Sequence, residues 1–296
     1  MNKILVILNP TARGERAKSR REAIQNLSGR IVVKETRKVG DAKALARRAV
    51  QKGVETIIAA GGDGTVNEVV NGIGEADVTL GVLPVGTMNV FALELGIDGH
   101  NLKRAWSVVE AGHTREIDLP MANEDYFVQL AGVGLDAEVV QQTTPDFKKV
   151  LGPVSYVLSL VHVVARKPPK IVTVDAEGVK REGSFVLVGN GRHYGGPLVL
   201  FPDAKPDDGL LDVVVFKNQT HWDVMRYVQA IMFGNHDRLA DVEYFQTRQV
   251  HVSSDSKVPV ELDGEIAGFA PFTFGLACRR LRVLAPPLVD KPARDA

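Results

Sequence analysis

The sequence is poor in three features that mark particular classes of protein. It has one cysteine among 296 residues, which excludes an internal disulfide and a cluster of cysteine and histidine metal ligands. Its longest apolar stretch, Val154 to Ala165, is too short to cross a bilayer. Basic and acidic residues balance at 36 each, so no overall basic field attracts nucleic acid. We therefore expect a chain without a transmembrane segment whose partners do not include nucleic acid.

Other absences narrow the class further. The apolar N-terminus is interrupted at Asn9-Pro10 and lacks a signal-peptide cleavage site, so we expect a cytoplasmic protein in a reducing compartment. No G-x-x-x-x-G-K-[ST] loop and no catalytic H-R-D occurs. Gly132 to Ala137 matches the fingerprint G-x-G-x-x-A, but no βαβ unit follows it. The lone Cys278 lies in a strand-like apolar run, which favours a small buried hydrophobe over a catalytic thiol.

The pattern of apolar residues and turn residues changes near residue 118. Before it, apolar strands alternate with amphipathic helices, the pattern of βαβ units around a parallel sheet. After it, short β-branched segments are bounded by turns, which is typical of an antiparallel sandwich or barrel. With the chain length, this predicts two domains, 1–118 and 119–284, and a polar tail over 286–296 that frays.

Apolar periodicity and turn residues predict the individual elements. The predicted strands are Lys3–Leu8, Arg30–Thr36, Thr56–Ala60, Thr79–Leu83, Tyr126–Gly132, Lys170–Asp175, Ser184–Val188, Leu211–Phe216, Val242–Val252 and Val258–Leu262. The predicted helices are Arg16–Leu27, one capped by Asp41, Thr65–Ile73, Pro153–Ala165, and one from Thr220 with Asp223 in a capping box and Met225, Val228, Ile231 and Met232 on one face.

The strongest local pattern is the glycine loop, Gly61 to Gly64, which follows an apolar strand. Thr65 and Glu68 are spaced as a capping box, so a helix is expected to start at Thr65. Glycines let backbone N–H groups approach an anion, and a helix start adds partial positive charge. A tight turn around a solvated Asp63 is the alternative, but a turn needs one glycine rather than three. The pattern therefore favours a phosphate-binding loop.

A second loop, Pro84 to Asn89, also ends a strand and opens a helix. On its own it is ordinary turn chemistry. Asn9 follows the first strand, and the carboxyl ends of parallel strands share one edge of the sheet. The three loops together predict a cleft that holds a nucleotide.

Two acidic segments are candidate sites in the second half. In the carboxylate turn, Leu262 to Glu265, an extended backbone would point Asp263 and Glu265 to the same side, as for a base and its partner. A type I′ hairpin turn at Asp263-Gly264 is an equally good interpretation. The aspartate loop, Asp203 to Asp212, offers hard oxygen ligands for magnesium, although a hairpin turn is slightly favoured on spacing alone.

Two further segments have ordinary interpretations. Basic residues between Arg13 and Arg21 are typical of a solvated helix face. The apolar Val154 to Ala165, flanked by lysine and arginine, would suit a membrane surface, but a buried helix with snorkelling ends is favoured.

As an ordered set, these motifs resemble the diacylglycerol kinase catalytic-domain superfamily, which includes soluble bacterial lipid kinases and the sphingosine and ceramide kinases. The resemblance runs from Lys3 to about Leu284. The segments that carry it are Asn9-Pro10, Thr36 with Gly40-Asp41-Ala42, Gly61-Gly62-Asp63-Gly64-Thr65-x-Asn67-Glu68, Pro84-x-Gly86-Thr87-x-Asn89, Gly132-x-Gly134-x-Asp136-Ala137, Gly189-Asn190-Gly191 with Tyr194-Gly195-Gly196, Ala204 with Asp208-Gly209-Leu210, and Leu262-Asp263-Gly264-Glu265.

The resemblance implies a fold and a set of roles. The fold is an α/β N-terminal domain like that of NAD kinases and phosphofructokinases, then a β-sandwich, with the last strand returning to the first domain. Asp63 would help to hold Mg-ATP. The ATP site would be lined by residues in and next to the three loops: Asn9, Thr36, Gly61, Gly62, Asp63, Gly64, Thr65, Asn67, Glu68, Gly86, Thr87 and Asn89. Asp263 would be the general base with Glu265 beside it, and Asp208 with the carbonyls of Lys205 and Leu210 would bind Mg²⁺.

The implied activity is ATP- and Mg²⁺-dependent phosphorylation of a hydroxyl of diacylglycerol or a related lipid presented at a membrane surface. Val90 departs from the family, which usually has an acid there, and this bears mainly on the substrate. The alternatives are an NAD kinase and a nucleotide-binding regulator with weak catalysis. The carboxylate turn and the aspartate loop argue against the NAD kinase, and Val90 is the best support for the regulator. The sequence leaves the oligomeric state, including a homodimer, open.

Overall fold

The fold is that of a computed structural model of the chain, which describes residues 4–10, 22–27, 31–99, 101–135, 137–138, 170–218 and 220–287. The predicted helix Pro153–Ala165, the apolar stretch within it and the basic residues between Arg13 and Arg21 lie outside these residues. The predicted helix Arg16–Leu27 is described only from residue 22, and residues 22–25 are helical. The tail is described up to residue 287.

The first sheet is mostly parallel and is built from the N-terminal part of the chain plus one late strand. Its strands are β1 (Ile4–Leu8), β2 (Ile31–Glu35), β3 (Thr56–Gly61), β4 (Thr79–Pro84), β5 (Thr114–Ile117) and β20 (Leu281–Leu284), in the order β2-β1-β3-β4-β20-β5. In β1, β3 and β4 every residue after the first is buried, so both faces of the sheet are covered. Strand β20 pairs in parallel with β4 and antiparallel with β5.

The helices of this part follow the sheet strands closely. They are α1 (Asp41–Gln51), α2 (Asp63–Ile73), α3 (Val90–Glu94) and α4 (Leu102–Ala111). The predicted cap of α1 is wrong, because Gly40 is the N-cap residue and takes a left-handed φ of 87°. Asp41 is the first helical residue, and its carboxylate accepts hydrogen bonds from the N–H groups of Arg37 and Lys38, which close the preceding turn.

The second half forms two antiparallel six-stranded sheets that pack face to face. The strands are β6 (Pro120–Ala122), β7 (Asp125–Tyr126), β8 (Leu130–Gly134), β9 (Val172–Ala176), β10 (Val179–Gly183), β11 (Phe185–Gly189), β12 (His193–Tyr194), β13 (Leu198–Val199), β14 (Leu211–Phe216), β15 (Val242–Thr247), β16 (Val250–Ser253), β17 (Pro259–Leu262), β18 (Glu265–Phe269) and β19 (Phe272–Leu276). One sheet has the order β10-β9-β16-β19-β6-β7 and the other β15-β14-β11-β8-β17-β18, with a small β12-β13 hairpin beside them.

A core of buried residues from both sheets, including Val174, Val213 and Phe274, fills the sandwich. The predicted α/β part followed by a β-sandwich is therefore confirmed. The predicted single strand Val242–Val252 is instead two strands that lie in different sheets. The boundary proposed at residue 118 falls between β5, in the first sheet, and β6, in the sandwich. Cys278 is exposed, contrary to prediction, because β19 ends at Leu276 and leaves it in the link to β20.

Helix α5 (His221–Phe233) starts as predicted, and its predicted apolar face is half right. Thr220 and Asp223 form the capping box, with the Asp223 N–H donating to Thr220 Oγ1 at 3.2 Å. Ile231 is buried and Val228 packs against the same core, whereas Met225 and Met232 are 50% and 62% exposed. The buried face carries Tyr227, whose ring lies 4.9 Å from that of Phe216.

Polar contacts help to hold α5 in this orientation. The Tyr227 hydroxyl donates to Asp241 at 2.5 Å, and Arg226 also binds that carboxylate. These bonds orient α5 with Tyr227 against the sheet. A short 3₁₀ helix, His236–Arg238, then leads into β15.

Candidate active site

The loops that follow β1, β3 and β4 meet at one edge of the first sheet, as the sequence predicts. The side-chain amide of Asn9 donates to Thr65 Oγ1 at 3.2 Å, and the N–H of Val85 donates to the carbonyl of Gly61 at 3.1 Å. Thr36, just after β2, donates its N–H to the carbonyl of Leu8 at 2.9 Å. Because β2, β1, β3 and β4 are neighbours in the sheet, their four following segments form one continuous rim.

The glycine loop and the second loop touch through their glycines. A Cβ added to Gly86 would lie 2.4 Å from the Cα of Gly62, which no real contact allows. A Cβ on Gly61 would lie 2.3 Å from the Cβ of Thr65. Close approach, rather than backbone dihedral, therefore explains these glycines, and the main chains of the two loops pack directly against each other.

Helix α2 starts earlier than predicted, at Asp63 with Gly62 as N-cap, so the capping box of Thr65 and Glu68 is wrong. Glu68 instead reaches to the start of α1. Its carboxylate accepts from the N–H of Gly40 at 2.8 Å and of Ala42 at 2.9 Å. These N–H groups have no partner within α1, so Glu68 supplies the cap that a side chain of α1 does not.

Asp63 and Asn89 hold the second loop to the start of α3. Oδ1 of Asp63 accepts from the N–H of Phe91 at 3.1 Å. Burial raises the pKa of Asp63, and hydrogen bonds from main-chain N–H groups at the start of α3 act against that rise. The buried Asn89, with φ of 52°, closes a ring with Gly86 through two bonds of 3.0 Å. Thr87 is exposed in the same loop, and Val90 is buried at the first position of α3.

The carboxylate turn is a hairpin turn, as one of its two interpretations predicted, and it also faces the glycine loop. Leu262 pairs with Glu265, and the central residues Asp263 and Gly264 have φ of 49° and 87°, as a type I′ turn requires. The two carboxylates are therefore separated by a turn, not by the extended backbone that was expected. This turn carries both of them toward α2.

Asp263 is bound by four donors. Oδ2 accepts from the amide of Asn67 and from the N–H of Val128, both at 2.8 Å. Oδ1 accepts from the N–H groups of Gln129 at 2.9 Å and Leu130 at 3.1 Å. Burial raises the pKa of Asp263, while these hydrogen bonds, that of Asn67 first, favour the ionised form. A carboxylate has about four lone-pair positions, so every one is in use.

Glu265 differs from its neighbour in having a free carboxylate. It is exposed, and across the described parts of the chain no hydrogen bond to its side chain is found. Its Oε1 lies 3.5 Å from the point where a Cβ on Gly64 would stand. A negatively charged group of the sandwich therefore lies directly over the glycine loop.

The aspartate loop is tied to the joint between the two halves. Oδ1 of Asp208 accepts from the N–H of Leu210 at 3.0 Å. Asp118 accepts from the N–H of Gly209 at 2.6 Å and from Nε of Arg280 at 2.9 Å. Lys205 is exposed in the same loop. Within the described ranges, no group of three or more histidine, cysteine or acidic side chains could hold a metal ion, so any cation here depends on carbonyl oxygens.

Several residues at this cleft were missed by sequence reasoning. Asp118 and Arg280 fix the aspartate loop, and Glu94, Gln129 and His193 form a polar cluster beside Asp263. None of them lies in a spacing that indicates chemistry. The only indication was that His193 falls inside the glycine-rich segment that carries the resemblance.

None of the helices in the described residues has the length and apolar character needed to cross a membrane.

Comparison with known proteins assigns both halves of the chain. The family described as "Diacylglycerol kinase catalytic domain" matches residues 3–122, and "YegS C-terminal NAD kinase beta sandwich-like domain" matches residues 129–285. A diacylglycerol kinase of Bacillus subtilis (strain 168) is 34% identical over 251 residues, which is 83% of each chain. One of Staphylococcus carnosus (strain TM300) is 31% identical over 255 residues, 85% of this chain and 83% of the relative.

Solved structures agree with this assignment. A crystal structure of a Bacillus anthracis str. Sterne protein matches with a TM-score of 0.80 and 26% identity over 97% of both chains. A second, of a diacylglycerol kinase from the same strain, matches with a TM-score of 0.73 and 22% identity over 97% of each chain, which supports the fold alone. With the family matches and the relatives above, these show that the chain belongs to the diacylglycerol kinase family, in which a kinase catalytic domain is followed by a β-sandwich domain.

Proposed function

We propose that the chain transfers the terminal phosphoryl group of ATP to a hydroxyl of diacylglycerol or a related lipid, such as phosphatidylglycerol or a sphingoid base. One observation carries the proposal. Two carboxylates of the sandwich, Asp263 and Glu265, lie against the start of α2, the helix that follows the glycine loop. A phosphate bound by the loop and a hydroxyl held by the sandwich would meet there, in line for transfer.

The nucleotide side of the proposed site is the rim of the first sheet. Main-chain N–H groups of the glycine loop, at the start of α2, would bind phosphate oxygens. Asn9, Thr36 and Thr87 stand around that loop at the ends of β1, β2 and β4 and would line the nucleotide. Gly86, Asn89, Thr65 and Glu68 keep the rim in shape through the contacts given above.

Mg²⁺ would offset negative charge on the transferring phosphoryl group. Asp63 is proposed to hold it together with ATP. Asp208, with the carbonyls of Lys205 and Leu210, is proposed as a second Mg²⁺ site that shapes the sandwich near the cleft. Those ligands fit a hard cation, because Oδ2 of Asp208 makes no hydrogen bond to any described residue.

The acceptor hydroxyl must lose its proton, and we assign that proton to Asp263. Since all its lone-pair positions are in use, it becomes a base only when one donor leaves. Asn67 is the one donor that is a side chain and can rotate away. Glu265 is the alternative base, because its carboxylate is free and already faces the glycine loop.

Membrane access is proposed through the exposed face of α5. Trp222, Met225, Met232 and Phe233 are 79%, 50%, 62% and 74% exposed and recur at helical spacing. At roughly 200 Å² for a large side chain, they present on the order of 500 Å². A stable protein partner typically covers about 800 Å² on each side. This area favours shallow insertion into a bilayer over a second copy of the chain.

The test is phosphate transfer from labelled ATP by the full chain with Mg²⁺. Diacylglycerol, phosphatidylglycerol, sphingosine and ceramide are offered in mixed micelles, and NAD is offered in parallel. We expect a labelled lipid that is lost on chelation of Mg²⁺ and in the Glu265→Gln, Asp263→Ala double variant. Label on NAD would indicate an NAD kinase, and ATP binding without transfer to any acceptor would indicate a regulator. Either result would overturn the proposal.

A further inference from the structure

A carboxylate–imidazole pair stands at the cleft, apart from the carboxylate turn. Glu94, the last residue of α3, is 8% exposed and points its Oε2 at Nδ1 of His193, in β12, at 2.6 Å. The same oxygen accepts from the N–H of Arg192 at 2.9 Å and from that of His193 at 3.2 Å. The pair joins the nucleotide-binding half to the sandwich.

The chemistry of the two partners fixes which ring nitrogen is available. Burial would raise the pKa of Glu94, but the hydrogen bond and charge of His193 outweigh it and the pKa is lowered. An ionised carboxylate only accepts, so Nδ1 of His193 carries the hydrogen. Nε2 of His193 makes no hydrogen bond to any residue in the described segments, and the side chain is 23% exposed. The ring is therefore held at one end and open at the other.

The position of the pair connects it to both sides of the proposed reaction. Gln129 donates its Nε2 to Glu94 at 3.3 Å and to the carbonyl of His193 at 2.9 Å, while its N–H binds Asp263 at 2.9 Å. One residue thus separates His193 from the Asp263 carboxylate. A Cβ on Gly196 would lie 3.2 Å from Cε of Met88, so the hairpin that carries His193 also packs on the second loop.

The cluster is tightly built. A Cβ on Gly191 would lie 2.6 Å from Nε2 of Gln129 and 2.9 Å from Cδ of Glu94. Gln129 is 5% exposed, and its Oε1 has no hydrogen-bond partner. Such packing leaves the imidazole little freedom to turn, which is the condition for a group that must meet a substrate in one orientation.

We propose that Nε2 of His193 accepts a hydrogen bond from a hydroxyl of the acceptor lipid, and that Glu94 and Gln129 position it. The proposal rests on the proposed lipid kinase function and adds a residue that selects the acceptor. The alternative is a purely structural role, in which His193 only joins the two halves of the chain through Nδ1.

Two substitutions separate these roles, because each keeps one ring nitrogen. His193→Asn places an amide where Nδ1 was and can still bind Glu94, whereas His193→Gln places an amide near Nε2. We expect His193→Asn to raise KM for the lipid about tenfold, the effect of one lost hydrogen bond, with KM for ATP unchanged. His193→Gln should stay within about threefold of the wild type for both substrates.

If His193→Gln raises KM for the lipid more than His193→Asn does, the proposal is overturned and His193 only joins the two halves through Nδ1. An equal rise in both KM values would also overturn it. A binding readout keeps the test independent of turnover. Titration of a short-chain diacylglycerol should shift the ¹⁵N resonance of His193 Nε2 in wild-type protein, and no shift would also overturn the proposal. Failure to phosphorylate any lipid would instead count against the proposed function.

Discussion

The side-chain amide of Asn67 donates a 2.8 Å hydrogen bond to the carboxylate of Asp263, which lies 196 residues later in the chain. Asn67 belongs to α2, the helix of the glycine loop, and Asp263 to the turn between β17 and β18. The same amide donates to the carbonyl of Tyr126 at 3.1 Å. One polar side chain therefore bridges the helix that follows the glycine loop and a carboxylate of the sandwich.

The first prediction separates the two carboxylates by their structural cost. Asp263→Ala leaves the N–H groups of Val128, Gln129 and Leu130 without a hydrogen-bond acceptor. It should therefore lower the free energy of unfolding by about 3 kcal/mol. Glu265→Gln loses no hydrogen bond among described residues, so its stability should stay within about 0.5 kcal/mol. Urea unfolding measures both.

Activity then assigns the base. Activity is measured without urea, at a temperature where both variants are folded. Removing the residue that acts as the base should lower kcat about a hundredfold or more. If Asp263→Ala loses this much and Glu265→Gln does not, the proton goes to Asp263. The opposite pattern would transfer the role to Glu265, and a mild effect in both would exclude the carboxylate turn from the chemistry.

A second prediction concerns the contact between the two glycine-rich loops. In Gly86→Ala the new Cβ would meet main chain of Gly62 at 2.4 Å, so the loops must separate. We expect KM for ATP to rise at least tenfold while the lipid KM changes little. Gly99→Ala is the matched control, because its nearest neighbour, Nδ2 of Asn89, is at an ordinary 3.8 Å. An unchanged KM for ATP in Gly86→Ala would show that this rim does not bind the nucleotide.

A third prediction follows from the anchoring of α5. Hydrogen bonds from Arg226 hold the pKa of Asp241 at about 2, with Tyr227 contributing and burial opposing. This carboxyl is more acidic in the folded state than its unfolded value of about 3.9. Its stabilisation is therefore present above pH 4 and is lost as the pH falls toward 2. Asp241→Asn should cost about 2 kcal/mol at pH 7.

The difference between Asp241→Asn and wild type should shrink below pH 4, as measured by urea unfolding at pH 7, 4 and 3. Asp237→Asn, an exposed acid with no hydrogen bond to a described residue, serves as the control. A deficit that stays constant over this range would show that the Asp241 carboxylate does not supply the stability through its charge.

A fourth prediction tests the bilayer contact of α5. Trp222 and Phe233 are its two most exposed apolar side chains, at 79% and 74%. Changing both to glutamine should lower binding to anionic vesicles at least tenfold, because it removes the largest apolar surface available for insertion. Phosphorylation of a short-chain, monomeric lipid should be unaffected. Val179→Gln, an exposed apolar residue of β10, is the control, and equal losses in both variants would refute a specific role of α5.

Much of this molecule is predictable because its patterns are local. The apolar runs of β1, β3 and β4 are buried on both faces, and the loops after them follow from the parallel sheet. Helix boundaries were less predictable, since Thr65 and Glu68 fit a capping box by spacing, yet Glu68 found main-chain donors of a different helix. Spacing along a chain does not reveal a partner that only tertiary packing supplies.

The cluster at the cleft was beyond sequence reasoning for the same cause. Glu94 and His193 are 99 residues apart, and neither lies in a pattern that indicates a pair. The orientation of α5 was predicted only in part, because Asp241, which lies outside the helix, binds Arg226 and Tyr227 and helps to hold Tyr227 against the sheet. Periodicity in the sequence thus does not predict polar contacts between residues that are far apart in the chain.

Strand β20 has a consequence for how the protein is made. It occupies the place between β4 and β5 in the first sheet, although it is built from residues 281–284. A ribosome that has finished the loops after β1, β3 and β4 has therefore not yet supplied the strand that joins β5 to that sheet. The sandwich must emerge first, so the rim that we assign to ATP reaches its final support only after residues 281–284 have been made.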